Sequence, residues 1–309
     1  MADVAPLWAT AVLPFALTGA ALATAAYHAV LAGRPTSPRA LARHAAAPVR
    51  EVLRLLVQQP RRTPAADTAL LRVGVVLVPV AAVLAGAVLP LGFTAVADPS
   101  VGVVWFNAME ALAWAAVWLA GWGPNSALAL IGSYRFLAQG LAYELPHMFA
   151  LTTAALGAQS LRVGDVVDAQ ESLWFVVRMP VAFAVYLASA LAMSFWGPFD
   201  RPTGGDVAGG VAAELSGVDR LALLGGRWLL LVVTAAFSVP LFLGGGHGPW
   251  LPPWAWTLVK AAVVLAVLGT VRERLPALRM DRYVELAWLV LVPLVLLQAL
   301  VVAVLVLIP

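Results

Sequence analysis

GWGPNSALALIGSYRFLAQGLAYELP, Gly121 to Pro146, lies between two long apolar runs yet carries Asn125, Ser126, Arg135, Gln139, Tyr143 and Glu144. The flanks decide the fold class. The whole chain of 309 residues is 62% hydrophobic and 11% charged, with a mean hydropathy of +0.91. Soluble domains are nearer ~45–50% apolar and ~25% charged, so this is an all-α, polytopic membrane helix bundle. Within the stretch, Arg135, Gln139 and Tyr143 follow one another by single helical turns and line one face, with Glu144 beside them. A charged residue at bilayer depth costs ~3 kcal/mol by insertion scales, so this seam needs a reason. A structural reason is that Arg135 reaches the headgroups and Glu144 faces a wet crevice. A functional one is that a polar seam in an apolar protein is a pathway.

Outward from this stretch the chain reads as one membrane domain, 1–309, of about eight spans. They cover about 6–31, 70–93, 101–121, the tail of the quoted stretch to about 160, 173–196, 226–243, 254–271 and 284–308. The first run is longer than a signal peptide's apolar core and lacks a basic start, so it is expected to stay as a span. The basic loop 33–69 holds PVREVLRLLVQQ, where Val49, Val52, Leu53 and Leu56 fall at i, i+3, i+4 and i+7. That spacing predicts a short amphipathic helix on the membrane surface. An ordinary basic loop held by anionic lipid is the alternative. The loops 33–69, 122–140, 197–225 and 272–283 carry fourteen Arg and the opposite set only Arg162, which predicts basic loops inside and both termini outside. Twelve Trp suit anchoring at membrane interfaces.

The chain has no Cys, which excludes disulfides and thiolate-held Fe–S clusters within it. His28, His44, His147 and His247 are scattered without metal-site spacing, so no metal centre is expected. The sequence pI near 9.7 reflects loop arginines on one side and does not point to nucleic acid. Glu110 stands in the middle of the third span, flanked by Asn107, Trp114 and Trp118. A glutamate there is either a functional group or a protonated one hydrogen-bonded in the bundle. GGDVAGG lacks the Lys-Ser/Thr of a phosphate loop, and neither a hydrolase triad nor an internal repeat is present.

The quoted stretch resembles the central segment of the complex I subunit 1 family, known in bacteria as the H subunit. The match runs without gaps through Gly121, Trp122, Asn125, Ser126, Gly132, Ser133, Arg135, Ala138, Gln139, Tyr143 and Glu144, with Ala127 in place of a frequent Lys. Further blocks follow in order. Pro48, Glu51, Arg54, Leu55 and Leu56 are similar to the family's surface helix, whereas the preceding signature keeps only Arg39. Leu191, Ala192, Pro198, Phe199, Asp200, Pro202, Glu214, Ser216 and Gly217 match the next block. There a family Glu, Asn and Arg are Met193, Phe195 and Trp196, and a Glu-rich loop keeps only Asp206. Arg272, Leu275, Pro276, Arg279 and Asp281 match the last.

The resemblance implies a membrane subunit of a bacterial proton-translocating quinone oxidoreductase, roofing a quinone chamber and linking it to a proton path. On that basis Glu144, Glu110 and Glu214 form the relay, with Asp200 and Asp206 near the chamber. Arg135, Gln139 and Tyr143 support it, and Arg39, Glu51, Arg54 and Phe199 lie on the quinone side. The implied cofactor is a quinone shared with a partner, with no metal or Fe–S cluster in this chain. The implied partners are hydrophilic quinone-site and Fe–S subunits, small membrane subunits, antiporter-like subunits and lipid. The alternatives are a subunit of a ferredoxin-, F420- or hydrogenase-linked complex and a non-pumping anchor for redox subunits. A stand-alone transporter is disfavoured, since no inverted repeat is present.

Overall fold

A computed structural model describes residues 3–204 and 209–307 of the chain. Its helices are α1 (Trp8–Gly33), α2 (Pro38–Ala45), α3 (Ala47–Val57), α4 (Thr68–Gly86), α5 (Gly102–Trp122), α6 (Ala127–Ala158), α7 (Val163–Asp168), α8 (Phe175–Arg178), α9 (Pro180–Met193), α10 (Gly217–Phe242), α11 (Pro253–Arg274), α12 (Met280–Leu286) and α13 (Val292–Leu307). The only strands among the described residues, Asp3–Val4 and Thr94–Ala95, pair in parallel. The fold is thus an all-α polytopic bundle.

Hydrogen bonds between distant loops fix two ends of the bundle. At one end the pairing of residues 3–4 with 94–95 is joined by Val103 N to Leu161 O (3.0 Å) and Gly92 N to Thr257 Oγ1 (3.1 Å). At the other, Asp67 N donates to Gly123 O (2.8 Å), Arg61 N to Ser216 Oγ (2.6 Å) and Leu278 N to Pro198 O (2.8 Å). The chain therefore shuttles between ends, and the arginine-rich loops gather at the second, the basic end.

Among the described residues six helices are long and apolar enough to cross a membrane, and a bent seventh arises if α9 is joined to the turns Gly197–Thr203 across a 43° break. This is fewer than the eight runs expected. The difference is α6: its 32 residues give a length of about 48 Å, but its polar side chains keep it from being apolar enough. The expected span 173–196 is broken at Met179, because the residue before Pro180 is pushed out of helical backbone, here to φ −134°. The expected loop 197–225 is shorter than read, since α10 already starts at Gly217 despite Asp219 and Arg220. The last span widens into a π turn at Ala287–Leu291, just before Pro293, which has no N–H for the carbonyl of Leu289.

α10 is the centre of the bundle: 72% of its apolar window is buried, against 17% for the last helix. α4 and α5 approach closely because Gly74 faces Ala116 and Ala120. A Cβ on Gly74 would lie 2.3 Å from the Ala120 amide nitrogen, the small-residue contact that lets membrane helices pack backbone to backbone. The surface helix expected in 33–69 is α3. Leu55 is its buried anchor and Val52 lines the cavity beneath it, while Val49, Leu53 and Leu56 face outward, so most of its expected apolar stripe is turned away from the bundle and available to lipid.

Candidate functional site

The opening stretch folds as the turn at Asn125, whose φ of 49° is left-handed, followed by α6. Its small residues are there for packing. A Cβ on Gly132 would lie 2.1 Å from the Val211 amide nitrogen, so α6 presses directly on the stretch of chain before α10. Ser126 at the start of α6 donates its hydroxyl to Glu214 Oε1 at 2.8 Å. One face then climbs the helix as expected from spacing. Arg135 Nη1 donates to Gly209 O at 3.1 Å, Gln139 Nε2 to Ala192 O at 2.6 Å, and Trp114 Nε1 to Tyr143 Oη at 2.6 Å.

Farther along, α5 and α6 build a buried polar cluster. Asn107 Nδ2 donates to Glu144 Oε1 at 3.1 Å. His147 Nε2 lies 2.8 Å from Glu110 Oε2, and both side chains are fully buried. At that distance the two groups are within ion-pair range. Asn107 Oδ1, Glu144 Oε2, both Glu110 oxygens and both His147 nitrogens have no hydrogen-bond partner among the described residues. In the sequence His147 is only one of four scattered histidines. The signal that finds it is its position three residues after Glu144, on the same face of one helix.

The structure brings Glu110 and Glu144 together but leaves Glu214 apart from them. Ser126, which holds Glu214, is 18 residues below Glu144, about 27 Å along a helix axis. Between them Met193, Trp196, Phe199 and Tyr283 close an apolar cluster around Tyr143. Trp196 is held between two guanidinium groups, with Arg227 Cζ 3.9 Å and Arg272 Cζ 4.2 Å from its ring centroid. Asp200 is half-buried within electrostatic reach of that arginine pair. Asp206 lies outside the described residues. Arg227, missed from sequence, also binds the carbonyls of Ser194 and Phe195 at the end of α9.

Beneath α3 is a cavity of 370 Å³ walled by α1, α3, α4 and α10, including Ala21, Ala25, Leu55, Pro79, Gly225 and Trp228. Its lining is almost wholly apolar, and Glu51 is its one carboxylate. Arg54 binds both Glu51 oxygens, at 2.6 and 2.8 Å, and this hydrogen bonding holds the Glu51 carboxyl below the ordinary carboxylate range. Arg39 is exposed on α2 and does not line the cavity. Phe199 does not line it either; its ring lies 4.5 Å from that of Tyr283 and its carbonyl accepts from Gln139.

At the other end Lys260 joins α11 to the end of α10. Its ammonium donates to the carbonyls of Leu243 (2.6 Å), Gly245 (2.9 Å) and His247 (2.7 Å), and lies 4.1 Å from the Trp174 ring centroid. Lys260→Met removes all three donors and is expected to cost ~2–3 kcal/mol, since orphaned buried carbonyls are expensive. The unfolding temperature of the detergent-purified protein should fall by several degrees, and an unchanged value refutes this role. No group of three His, Cys, Asp or Glu placed to hold a metal occurs among the described residues.

Residues 8–303 match the family model described as NADH dehydrogenase. Among curated proteins, the chain is 36% identical over 265 residues to the H 1 subunit of NADH-quinone oxidoreductase from Geobacter metallireducens, covering 82% of this chain and 80% of that one. It is equally similar, at 36% with the same coverage, to the H 2 subunit from Geobacter sulfurreducens. A third relative, the H 2 subunit from Syntrophobacter fumaroxidans, is 33% identical over the same shares.

Proposed function

The chain belongs to the family of the NADH-quinone oxidoreductase H subunit, a multi-pass membrane component of an enzyme complex, and from that membership we propose that it roofs a quinone pocket and relays protons from it. The observation that carries the quinone half is the 370 Å³ apolar cavity under α3. Its walls suit an isoprenoid chain, and its carboxylate at the surface helix suits a mouth near the headgroups. The cluster of Glu110, Glu144 and His147 carries the proton half. Quinone reduction creates a demand for protons, and buried carboxylates answer it by taking up or passing them on. In this reading Glu144 and Glu110 are relay groups and Glu214, Asp200 and Asp206 serve the basic end. Arg135 ties the loop before α10, while Gln139 and Tyr143 hold α6 against α5 and α9.

The basic end would face the cytoplasm of a bacterial inner membrane, with both termini outside, by the positive-inside rule. There hydrophilic quinone-site and Fe–S subunits would dock, with small membrane and antiporter-like subunits alongside in the bilayer. The chain has no Cys for a redox centre of its own, so electrons would arrive on a partner. The apolar block at Met193 and Trp196 favours a second reading, an anchor that binds quinone and redox subunits without moving protons.

A photoreactive quinone analogue added to the assembled complex tests the quinone half. Crosslinks on α1 between Thr18 and Ala25 or on α10 between Leu221 and Leu229, competed by native quinone, are expected. Crosslinks confined to other helices overturn the assignment.

A further inference from the structure

We infer that His147 is a proton-carrying residue that works as one unit with Glu110, a role that rests on the proton-relay reading and extends it beyond the carboxylates. The cluster is built from four side chains: Asn107 and Glu110, three apart on α5, meet Glu144 and His147, three apart on α6. Glu144 and Asn107 are half-buried at its edge, whereas Glu110 and His147 are fully buried behind them.

Buried polar atoms in native proteins are nearly always paired. Here six side-chain atoms in one small volume are without a hydrogen-bond partner among the described residues, although His147 Nε2 and Glu110 Oε2 stand only 2.8 Å apart. A buried imidazole and a buried carboxyl at that distance can pass a proton directly between them. Two more features shape the site. Pro146 has no N–H to give the carbonyl of Ala142, so α6 is loosened and an acceptor freed one turn below His147. The other face of the imidazole is covered by the ring of Tyr186, 5.1 Å between centroids, which holds the ring in place without engaging its nitrogens.

The two ring nitrogens divide the work. A proton taken up at Nδ1 gives the imidazolium, which then releases the proton on Nε2 to the Glu110 carboxylate. The O–H bond of the Glu144 carboxyl breaks as the Nδ1–H bond forms, the Nε2–H bond breaks as an O–H bond forms on Glu110, and the imidazole ends neutral in its other tautomer. The reverse transfer resets it. Glu144, at the edge, is the group that passes protons to and from this inner pair.

The test uses the assembled, membrane-embedded complex and infrared difference spectra recorded on quinone reduction. The carboxyl C=O band that disappears in Glu110→Gln identifies the Glu110 signal. In His147→Gln, which keeps a polar side chain of similar reach, that band is expected to shift or vanish, and proton uptake to fall about tenfold or more. In Glu110→Gln the imidazole ring mode of His147 should change in turn, so the coupling can be read from either side if one variant fails to assemble. A Glu110 band and proton uptake unchanged by His147→Gln, or an imidazole mode unchanged by Glu110→Gln, overturns the inference. The failure of the broader reading looks different. There the wild-type complex would reduce quinone with no proton uptake at all, while mutual dependence of the two bands would still establish the pair.

Discussion

Gly225→Phe should raise the KM for quinone about tenfold or more while the complex assembles and melts as wild type does. Gly225 lies on α10 and lines the cavity beneath α3, and a Cβ built there meets nothing within 4 Å. Its backbone is not left-handed, so a larger residue is not strained. Replacing a mid-helix glycine by Phe even gains roughly a few tenths of a kcal/mol of helix propensity. A phenyl ring there projects into the space and competes with any apolar ligand for it. Loss of ~1.4 kcal/mol of binding is enough for the tenfold effect. Gly19→Phe is the control: it too meets open space, and although it lies among lining residues of α1 it is not itself part of the cavity lining. Steady-state kinetics with a short-chain quinone separate the two. An unchanged KM and kcat in Gly225→Phe would take the cavity out of the quinone path.

The bundle was legible in the sequence because apolar runs near 20 residues admit few other folds. Even its irregularities have local causes: Pro180 breaks the fifth span, and Pro293 follows the π turn of the last. The start of α10 is misplaced by sequence for a physical reason too. Asp219 and Arg220 look like loop residues, but the first turn of a helix welcomes an acid. The orientation of α3 escapes reading since periodicity finds an apolar stripe but cannot say whether protein or lipid receives it.

The site was legible along one helix and opaque between helices. Helical spacing placed Arg135, Gln139 and Tyr143 on one face, and they do share it. It could not show that Asn107 and Glu110 on α5 would meet Glu144 and His147 on α6, because that depends on the depth at which two antiparallel helices cross. The same blindness hides Arg227, whose guanidinium reads as an isolated charge in an apolar run. Its partners, the carbonyls at the end of α9 and the ring of Trp196, are more than 30 positions away in sequence. Resemblance alone groups Glu214 with Glu144. The intervening cluster of Met193, Trp196, Phe199 and Tyr283 separates them.

That separation sharpens what Glu144→Gln should do. With no carboxylate at Met193 and apolar rings filling the space toward the basic end, the half-buried Glu144 is, in the proposed reading, the group through which the inner pair exchanges protons. Gln keeps the length and one acceptor oxygen, so the 3.1 Å bond from Asn107 can survive and the fold is expected to stand. What Gln cannot do is release a proton. The assembled variant should therefore lose quinone-coupled proton uptake by about 100-fold, the scale of removing a positioned proton-transfer group. Complex composition and melting should remain those of the wild type. A purely structural Glu144 predicts the reverse, since Gln would satisfy Asn107 equally well and leave turnover unaltered. Asn107→Leu sharpens the contrast: it removes the hydrogen bond but not the acid, so it should perturb stability more than proton uptake. Wild-type uptake in assembled Glu144→Gln would put the anchor reading ahead, because no other described carboxylate stands at the edge of the α5–α6 cluster to take its place.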